Sequence, residues 1–304
     1  MNLFSSLPVI FLVLFALALQ VQHPTMTAML LVNGAAQLVL FGLVACLPFW
    51  RSGRMSYVDI AWPFGVACIG LTILFLGDGD LLRRLITGAV YLFIGLRMGI
   101  AAVIMGRTTG VIFKYEFPRY EYRRQVLSQQ GGNVRLHMLS EILTQGFANM
   151  SVLALPGFLL AINPDAQLSI WEITGVALWL LAYLLESVAD TQKLLFISRT
   201  SDKLAVCDIG LWRYSRHPNY FAEWLVWTAI VIAAVPSWWA MQHSQSLLMS
   251  SVLGIGMVGA SAIMFTTLVF LTGARPAEYF SEKKRPGYRD YQARTSMFFP
   301  WFPK

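Results

Sequence analysis

Long apolar segments alternate with short polar segments along almost the entire chain. Each apolar segment is long enough, or nearly long enough, to cross a bilayer core of about 30 Å as an α-helix. The pattern predicts an all-α fold, namely a polytopic integral membrane bundle of about seven to eight transmembrane helices with cytoplasmic loops over its mouth. The eight segments lie at 4–20, 27–49, 58–77, 85–105, 139–162, 170–189, 219–241 and 247–271.

The first apolar segment has the position of a signal peptide. However, it has no basic region before it and no small-x-small cleavage site after it, and a second span follows closely. We therefore expect residues 4–20 to form a helix. No Ser-, Thr- or Pro-rich linker divides the sequence, so a single integral membrane domain over 1–304 is predicted.

Basic residues give an independent test of the span count. With both termini on one side, that side carries all of the 23 lysines and arginines except Arg83, Arg84 and Arg97. Lys and Arg collect in the cytoplasmic loops of membrane proteins. The asymmetry predicts a multi-pass protein with both termini in the cytoplasm, in a bacterial inner membrane.

Composition adds two exclusions. The chain is 57% hydrophobic and 13% charged, outside the range of soluble domains. The net charge of +7 is explained by the cytoplasmic bias and by anionic lipid headgroups, so membrane lipids are expected partners and nucleic acid is not. Three cysteines and four histidines lie far apart, without CxxC spacing, so no metal site is predicted.

The letters of Gly254 to Gly259 match G-x-G-x-x-G, but they lie inside an apolar span. A dinucleotide fingerprint needs a strand before it and a helix that opens at the glycines. Small residues within a span usually allow close helix packing instead. We expect the same role for Gly95 and Gly99.

The polar residues at the ends of three spans form a more coherent set. Glu186 and Asp190 share a helix face, and Lys193 continues it. Asn219 and Glu223 share a face of the next span, in which Pro218 suits the first helical turn.

A helix start of this kind favours phosphate, and Arg213 and Arg216 immediately before it offer bidentate recognition of the same group. The stretch 210–223 therefore favours a polyphosphate-bearing cofactor over a purely structural cluster.

Two charges lie within or close to earlier spans. Asp59 is near the cytoplasmic end of the third, beside Tyr57, and Arg97 is in the middle of the fourth, where it needs an acidic or anionic partner. A structural alternative pairs Arg97 with Asp59 or Glu186. The aromatic and charged segment 113–124 is either an interfacial helix or a lid over a cofactor.

The run from Gly210 to Glu223, with Glu186 to Lys193 before it, resembles the steroid 5-alpha-reductase superfamily, in particular its bacterial branch of uncharacterised membrane proteins. Ser56 to Trp62 and the tail from Arg285 to Ser296 resemble the same branch. The likeness covers roughly residues 55 to 304, and the core Arg-His-Pro-Asn-Tyr-Phe-x-Glu is fairly specific. Ala222 replaces a glycine that is common there.

The resemblance implies an NADPH-dependent membrane oxidoreductase that reduces an activated carbon–carbon double bond in a lipophilic substrate, such as an enone of a steroid-like molecule. It implies an acid and a tyrosine as the proton donors, for which Asp59 and either Tyr57 or Tyr91 are the candidates. The cofactor-binding candidates that match the family, together with Arg97, are Glu186, Asp190, Lys193, Arg213, Arg216, His217, Asn219, Tyr220, Glu223, Tyr288, Tyr291 and Arg294.

Two other functions remain open. Membrane methyltransferases of the isoprenylcysteine type carry a similar Arg-His-Pro-x-Tyr signature and use S-adenosylmethionine, which has no phosphates. A transporter or lipid-binding protein would also place charges in its spans, but the sequence has no detectable repeats. The substrate, whether a steroid, isoprenoid, quinone or other enone, is not specified by the sequence.

Overall fold

A computed structural model describes residues 3–304, and the regular elements of that range are helices. The α-helices are α1 Leu3–Ala18, α2 Pro24–Leu40, α3 Leu47–Ser52, α4 Val58–Leu76, α5 Leu81–Thr109, α6 Pro118–Gln130, α7 Val134–Met150, α8 Leu155–Ala161, α9 Ile170–Arg199, α10 Pro218–Met241, α11 Leu247–Thr266, α12 Ala274–Lys284 and α13 Tyr288–Arg294. Phe41–Cys46 and Thr267–Leu271 are π-helical, and Met55–Tyr57 and Gly210–Arg213 are 3₁₀ turns.

Seven helical segments in the described residues are long and apolar enough to cross a membrane. This confirms the predicted all-α, polytopic membrane fold. Ser6–Ala18 is a shorter apolar helix, so the first of the eight predicted spans is not among the seven. The seven are Pro24–Ser52, Met55–Leu76, Leu81–Thr109, Val134–Ala161, Ile170–Arg199, Pro218–Met241 and Leu247–Lys284.

The chain forms two compact units. Unit 1 comprises Met1–Ile173 and Val231–Ala260, and unit 2 comprises Thr174–Ile230 and Ser261–Lys304. Each unit is assembled from two separate stretches of sequence. The prediction of a single membrane domain over 1–304 stays a prediction.

Unit 1 is built around close contact of α4 with α5. A Cβ added to Gly95 would lie 2.4 Å from the backbone nitrogen of Ala67 and 2.5 Å from the carbonyl oxygen of Pro63. A side chain at Gly70 would meet the carbonyl of Gly88 at 2.8 Å. Glycine is therefore required at this helix crossing, as the pattern of small residues predicts.

The glycines of α11 have the same role. A Cβ at Gly254 would lie 2.9 Å from the Trp238 ring, and one at Gly256 would lie 2.3 Å from Leu155. These glycines accommodate bulky neighbours inside a helix and do not open one. The prediction that this match is not a dinucleotide fingerprint is confirmed.

Unit 1 buries two polar groups of residues. Asn33, Gln37 and Asn149 are fully buried and bonded to one another or to backbone carbonyls, with Gln37 Nε2 donating to Gly65 at 2.8 Å. Separately, the Arg83 guanidinium pairs with Glu172, and both side chains are about 95% buried or more. Arg83 also donates to the carbonyls of the segment 163–167, which satisfies the buried charge.

Candidate functional sites

The Asp59 cluster of unit 1 consists of Asp59, Arg119 and Tyr120. Asp59 lies in the first turn of α4, and Pro118 starts α6 so that the other two residues occupy its first turn. Arg119 Nη2 lies 2.6 Å from Asp59 Oδ1, and the Tyr120 hydroxyl donates to the same oxygen at 2.9 Å. The cluster therefore connects the start of α4 with the start of α6, two segments that no sequence pattern linked.

The second carboxyl oxygen of Asp59 has a different environment. Oδ2 is buried and has no hydrogen-bond partner among the described residues. A buried polar atom normally has one, so this oxygen is a candidate contact for a bound molecule. The pKa of Tyr120 is raised by burial and then by the Asp59 charge, so Tyr120 keeps its proton and acts as a donor.

The other predicted catalytic tyrosines have different partners. The Tyr57 hydroxyl accepts a hydrogen bond from Arg54 at 2.9 Å. Tyr91 is fully buried on α5, and its hydroxyl donates to the Leu153 carbonyl at 2.7 Å. Arg97 lies half-buried on the same helix. Tyr120, which sequence reasoning missed, is the tyrosine that the structure places on Asp59.

Glu116 fixes the loop that leads into α6. Its carboxylate accepts hydrogen bonds from the backbone nitrogens of Met55 at 2.6 Å and Ser56 at 2.9 Å, and from the Ser56 hydroxyl. The 3₁₀ turn that precedes Asp59 is thereby tied to the residues just before Arg119. This contact positions the Asp59 cluster from both sides.

A strained residue lies in the same loop. Ile112 is fully buried and has a φ of 79°, which a β-branched residue rarely adopts. Its carbonyl accepts a hydrogen bond from Arg54 Nε at 3.2 Å, and its nitrogen donates to Tyr115 at 2.9 Å. Strain of this kind costs about 1–3 kcal/mol and persists only where the surroundings hold it.

The signature cluster of unit 2 is formed by residues 210–223 with the end of α9. Gly210 has a φ of +53°, and a Cβ there would lie 2.4 Å from the Gln192 side chain. Leu211 donates its backbone N–H to Gln192 at 2.9 Å. Trp212 donates its indole N–H to the Ala189 carbonyl at 2.8 Å, and Lys193 Nζ lies 4.1 Å from the centre of the Trp212 ring. The 3₁₀ turn is therefore docked on α9.

Asn219 connects the two helices of this cluster. It lies in the first turn of α10, which begins at Pro218 as predicted. Its Nδ2 donates to Asp190 Oδ1 at 3.1 Å, while its Oδ1 is buried with no hydrogen-bond partner among the described residues. An acceptor thus remains available beside a carboxylate, an arrangement that suits hydroxyl or amide N–H donors of a ligand.

Arg216 is held inside the protein. Its Nε lies 2.6 Å from Glu278 Oε1 and its Nη2 lies 3.2 Å from Glu278 Oε2. Its Nη1 donates to the carbonyls of Gln292 and Thr295, so four of its N–H donors are used. The sequence assigns Arg216 to a phosphate, whereas in the structure this guanidinium attaches α12 and the tail. Arg213, by contrast, is exposed.

His217 shares the same carboxylate. Its Nε2 lies 3.2 Å from Glu278 Oε1, and its ring stacks on Tyr220 with centroids 5.2 Å apart. Burial lowers the pKa of His217, and the nearby Glu278 opposes this shift only in part. The imidazole is therefore neutral near pH 7 and has a packing and bonding role.

The predicted tail residues are also at this cluster. The Tyr291 hydroxyl donates to the Trp212 carbonyl, Tyr288 is buried beside it, and burial raises the pKa of both. Arg294 pairs with Asp208 at the surface. Glu186 is buried on α9, and Glu223 is half-buried on α10.

Sequence reasoning missed four residues that organise these sites: Arg119, Tyr120, Glu116 and Glu278. The first three lie in the aromatic and charged segment 113–124. The sequence singled out this segment but did not indicate that it contacts Asp59 or the turn before it. Glu278 lies 62 positions from Arg216, and no local spacing connects them.

In an alignment 149 residues long, which covers 43% of this chain and 39% of the relative, the chain is 28% identical to an uncharacterized protein of Schizosaccharomyces pombe. The chain thus spans about two fifths of the relative's length. No solved structure matches the chain. Residues 49–295 match the model of the family described as "Protein of unknown function (DUF1295)", and the chain therefore belongs to the DUF1295 family.

Proposed function

We propose that this chain is an NADPH-dependent reductase of an activated carbon–carbon double bond in a lipophilic substrate, within the steroid 5-alpha-reductase superfamily. The observation that carries the proposal is the Asn219–Asp190 contact, with the buried Asn219 Oδ1 left as an acceptor. Both residues belong to the motifs on which the resemblance rests.

The residues present fit a dinucleotide. Asp190 and Asn219 offer acceptors for ribose hydroxyls or for the carboxamide N–H groups of nicotinamide. The exposed Arg213 provides a bidentate donor for phosphate, and the Lys193 ammonium lies on Trp212 nearby. Arg216 contributes indirectly, because it holds Glu278 and the tail in place.

When bound, NADPH supplies the hydride for the β-carbon of the substrate. Asp59, protonated when the substrate binds, then supplies the proton that the enolate oxygen requires and returns to the ionised form that pairs with Arg119. Both observed donors use Oδ1, which leaves Oδ2 as the atom that presents the acid proton to the substrate. Arg119 and Tyr120 stabilise the carboxylate that remains after proton transfer.

The cofactor proposal is tested by anaerobic titration of the detergent-purified chain with NADPH, NADH and S-adenosylmethionine. We expect saturable NADPH binding that Asn219→Ala weakens about tenfold or more, because a buried acceptor and its link to Asp190 are lost. Thr191→Val, an exposed change on α9 next to Asp190, is the matched control. Absence of NADPH binding would overturn the proposal, and S-adenosylmethionine binding would favour the methyltransferase.

The acid is tested separately. Asp59→Asn should abolish reduction of an enone panel while NADPH binding persists, since the amide cannot deliver a proton. Full NADPH-dependent reduction by this variant would show that Asp59 is not the required donor.

The orientation forms part of the proposal. The predominance of Lys and Arg in the loops 50–57, 106–138 and 190–218 and in the tail supports cytoplasmic placement of both termini, in a bacterial inner membrane. This arrangement requires α1 to cross as well. Accessibility of single cysteines to an impermeant maleimide, placed at the two ends of the chain, would measure it.

A further inference from the structure

An open cavity of about 340 Å³ lies in unit 1, where α5 ends and the loop to α6 begins. None of the predicted site residues lines it. Its lining includes Arg107 and Lys114, two threonines of the last helical turn, and the rings of Phe113 and Tyr115. It therefore combines two cations with two aromatic side chains.

The cavity has a defined shape. Gly106 allows the Phe113 ring to approach, because a Cβ there would lie 2.7 Å from that ring. The Phe113 ring also packs edge-on against Tyr57, with centroids 6.3 Å apart. The loop itself is closed by Lys114, whose backbone N–H donates to the Gly110 carbonyl at 2.7 Å.

The charges of the cavity favour an anion. Arg107 and Lys114 are exposed, so their charges are available to a ligand. The hydroxyls of Thr108 and Thr109 donate within α5, to the carbonyls of Ile104 and Met105, so the two cationic side chains are the groups that attract an anion. The neighbouring Glu116 carboxylate accepts hydrogen bonds from the backbone N–H groups of Met55 and Ser56 and does not line the cavity.

The position of the cavity identifies the source of that anion. It lies at the end of the membrane-spanning segment Leu81–Thr109, the level at which lipid headgroups are found. Tyr115 is 63% exposed and Phe113 is 38% exposed, as expected for rings that lie among headgroups and upper acyl chains. We propose that this cavity binds the phosphate of an anionic phospholipid headgroup. The proposal does not depend on the reductase activity.

The loop that forms the cavity also connects it to the Asp59 cluster. The loop that forms the cavity continues through the strained Ile112 to Glu116, and Glu116 is bonded to the turn before Asp59. A headgroup that steadies this loop therefore steadies the segment that carries Arg119 and Tyr120.

The test compares the full-length chain in nanodiscs of phosphatidylcholine alone and of phosphatidylcholine with phosphatidylglycerol. Hydrogen exchange of residues 106–117 should slow in the presence of phosphatidylglycerol. Native mass spectrometry of the released protein should show retained phosphatidylglycerol, and we expect Arg107→Gln with Lys114→Gln to reduce it about tenfold or more.

Arg199→Gln with Lys203→Gln is the matched control, because it removes the same charge from exposed positions of unit 2. The control should retain the lipid and the protection. Equal loss in both double variants, or no effect of phosphatidylglycerol on exchange, would overturn the site. Inorganic phosphate or glycerol phosphate added to detergent-solubilised protein tests the source, and equal protection by either would overturn the lipid assignment. If the double variant elutes as an aggregate, the single Lys114→Gln variant is used.

Discussion

The Tyr120 hydroxyl donates a 2.9 Å hydrogen bond to Asp59 across 61 positions of sequence. Two motifs that look independent along the chain thus form one cluster: an acidic residue at a span start and an aromatic, charged loop. The contact gives the proposed acid a specific partner and leaves its second oxygen available.

Tyr120→Phe should lower the rate of enone reduction by about one to two orders of magnitude while NADPH affinity stays unchanged. The physical reason is the loss of a hydrogen bond that stabilises the Asp59 carboxylate after proton transfer. Single-turnover rates at saturating NADPH measure the effect. Tyr122→Phe on the same helix is the control, and an equal loss in both variants would indicate a general disturbance of α6.

Gly210→Ala should lower the free energy of unfolding of the purified protein by about 1–2 kcal/mol or more, because it places a Cβ on a residue with positive φ. The added atom would also collide with the Gln192 side chain. Gly287→Ala provides the comparison, because its φ is −80° and nothing lies within 4 Å of the added Cβ. Melting curves in detergent, followed by tryptophan emission, measure the difference between the two variants. Equal melting temperatures would contradict the prediction.

Glu278→Gln should destabilise the protein by about 3 kcal/mol or more, because it leaves the Arg216 charge buried without its partner. Both side chains of this pair are about 10% exposed. Glu282→Gln on the same helix removes a pair in which the Arg289 side chain is 80% exposed, and such pairs contribute about 0–1 kcal/mol. Comparing the melting temperatures of the two variants measures the difference that burial makes.

His217 should make the protein less stable as pH falls from about 7.5 to 5.5. Its folded pKa is lowered, so the unfolded chain binds a proton that the folded chain does not in the region below the ordinary histidine pKa of about 6.5. Stability is therefore complete above that value and is lost as the pH drops toward the lowered pKa.

His217→Gln should flatten this pH dependence, whereas the exposed His243→Gln should retain it. Melting temperatures across the same pH range provide the measurement. A wild-type protein whose stability is independent of pH in this window would contradict the assignment of a buried neutral imidazole.

The amount that sequence predicted differs between fold and site. Hydrophobic segment length decides whether a helix crosses a bilayer, so seven of the eight spans, the start of α10 at Pro218 and the glycine packing of α11 were predictable. The sequence singled out Asp190 and Asn219 separately, as polar residues at the ends of two spans, and did not predict their direct contact.

The side-chain partners were not predictable in the same way. Whether Arg216 faces a phosphate or a carboxylate depends on where α12 folds back, and Glu278 lies far along the chain from the signature. Likewise, periodicity cannot tell which of several tyrosines reaches Asp59, because the loop geometry around Ile112 and Glu116 decides it.

The Glu116 carboxylate has a practical consequence for anyone who modifies this protein. A fluorescent reporter or epitope inserted between Gly110 and Phe117 would detach that carboxylate from the 3₁₀ turn Met55–Tyr57, which precedes Asp59. The exposed Gly131, between α6 and α7, has a φ of +79° and open space around it. We expect an insertion to be tolerated better there, because this exposed turn between two helices has open space for added residues.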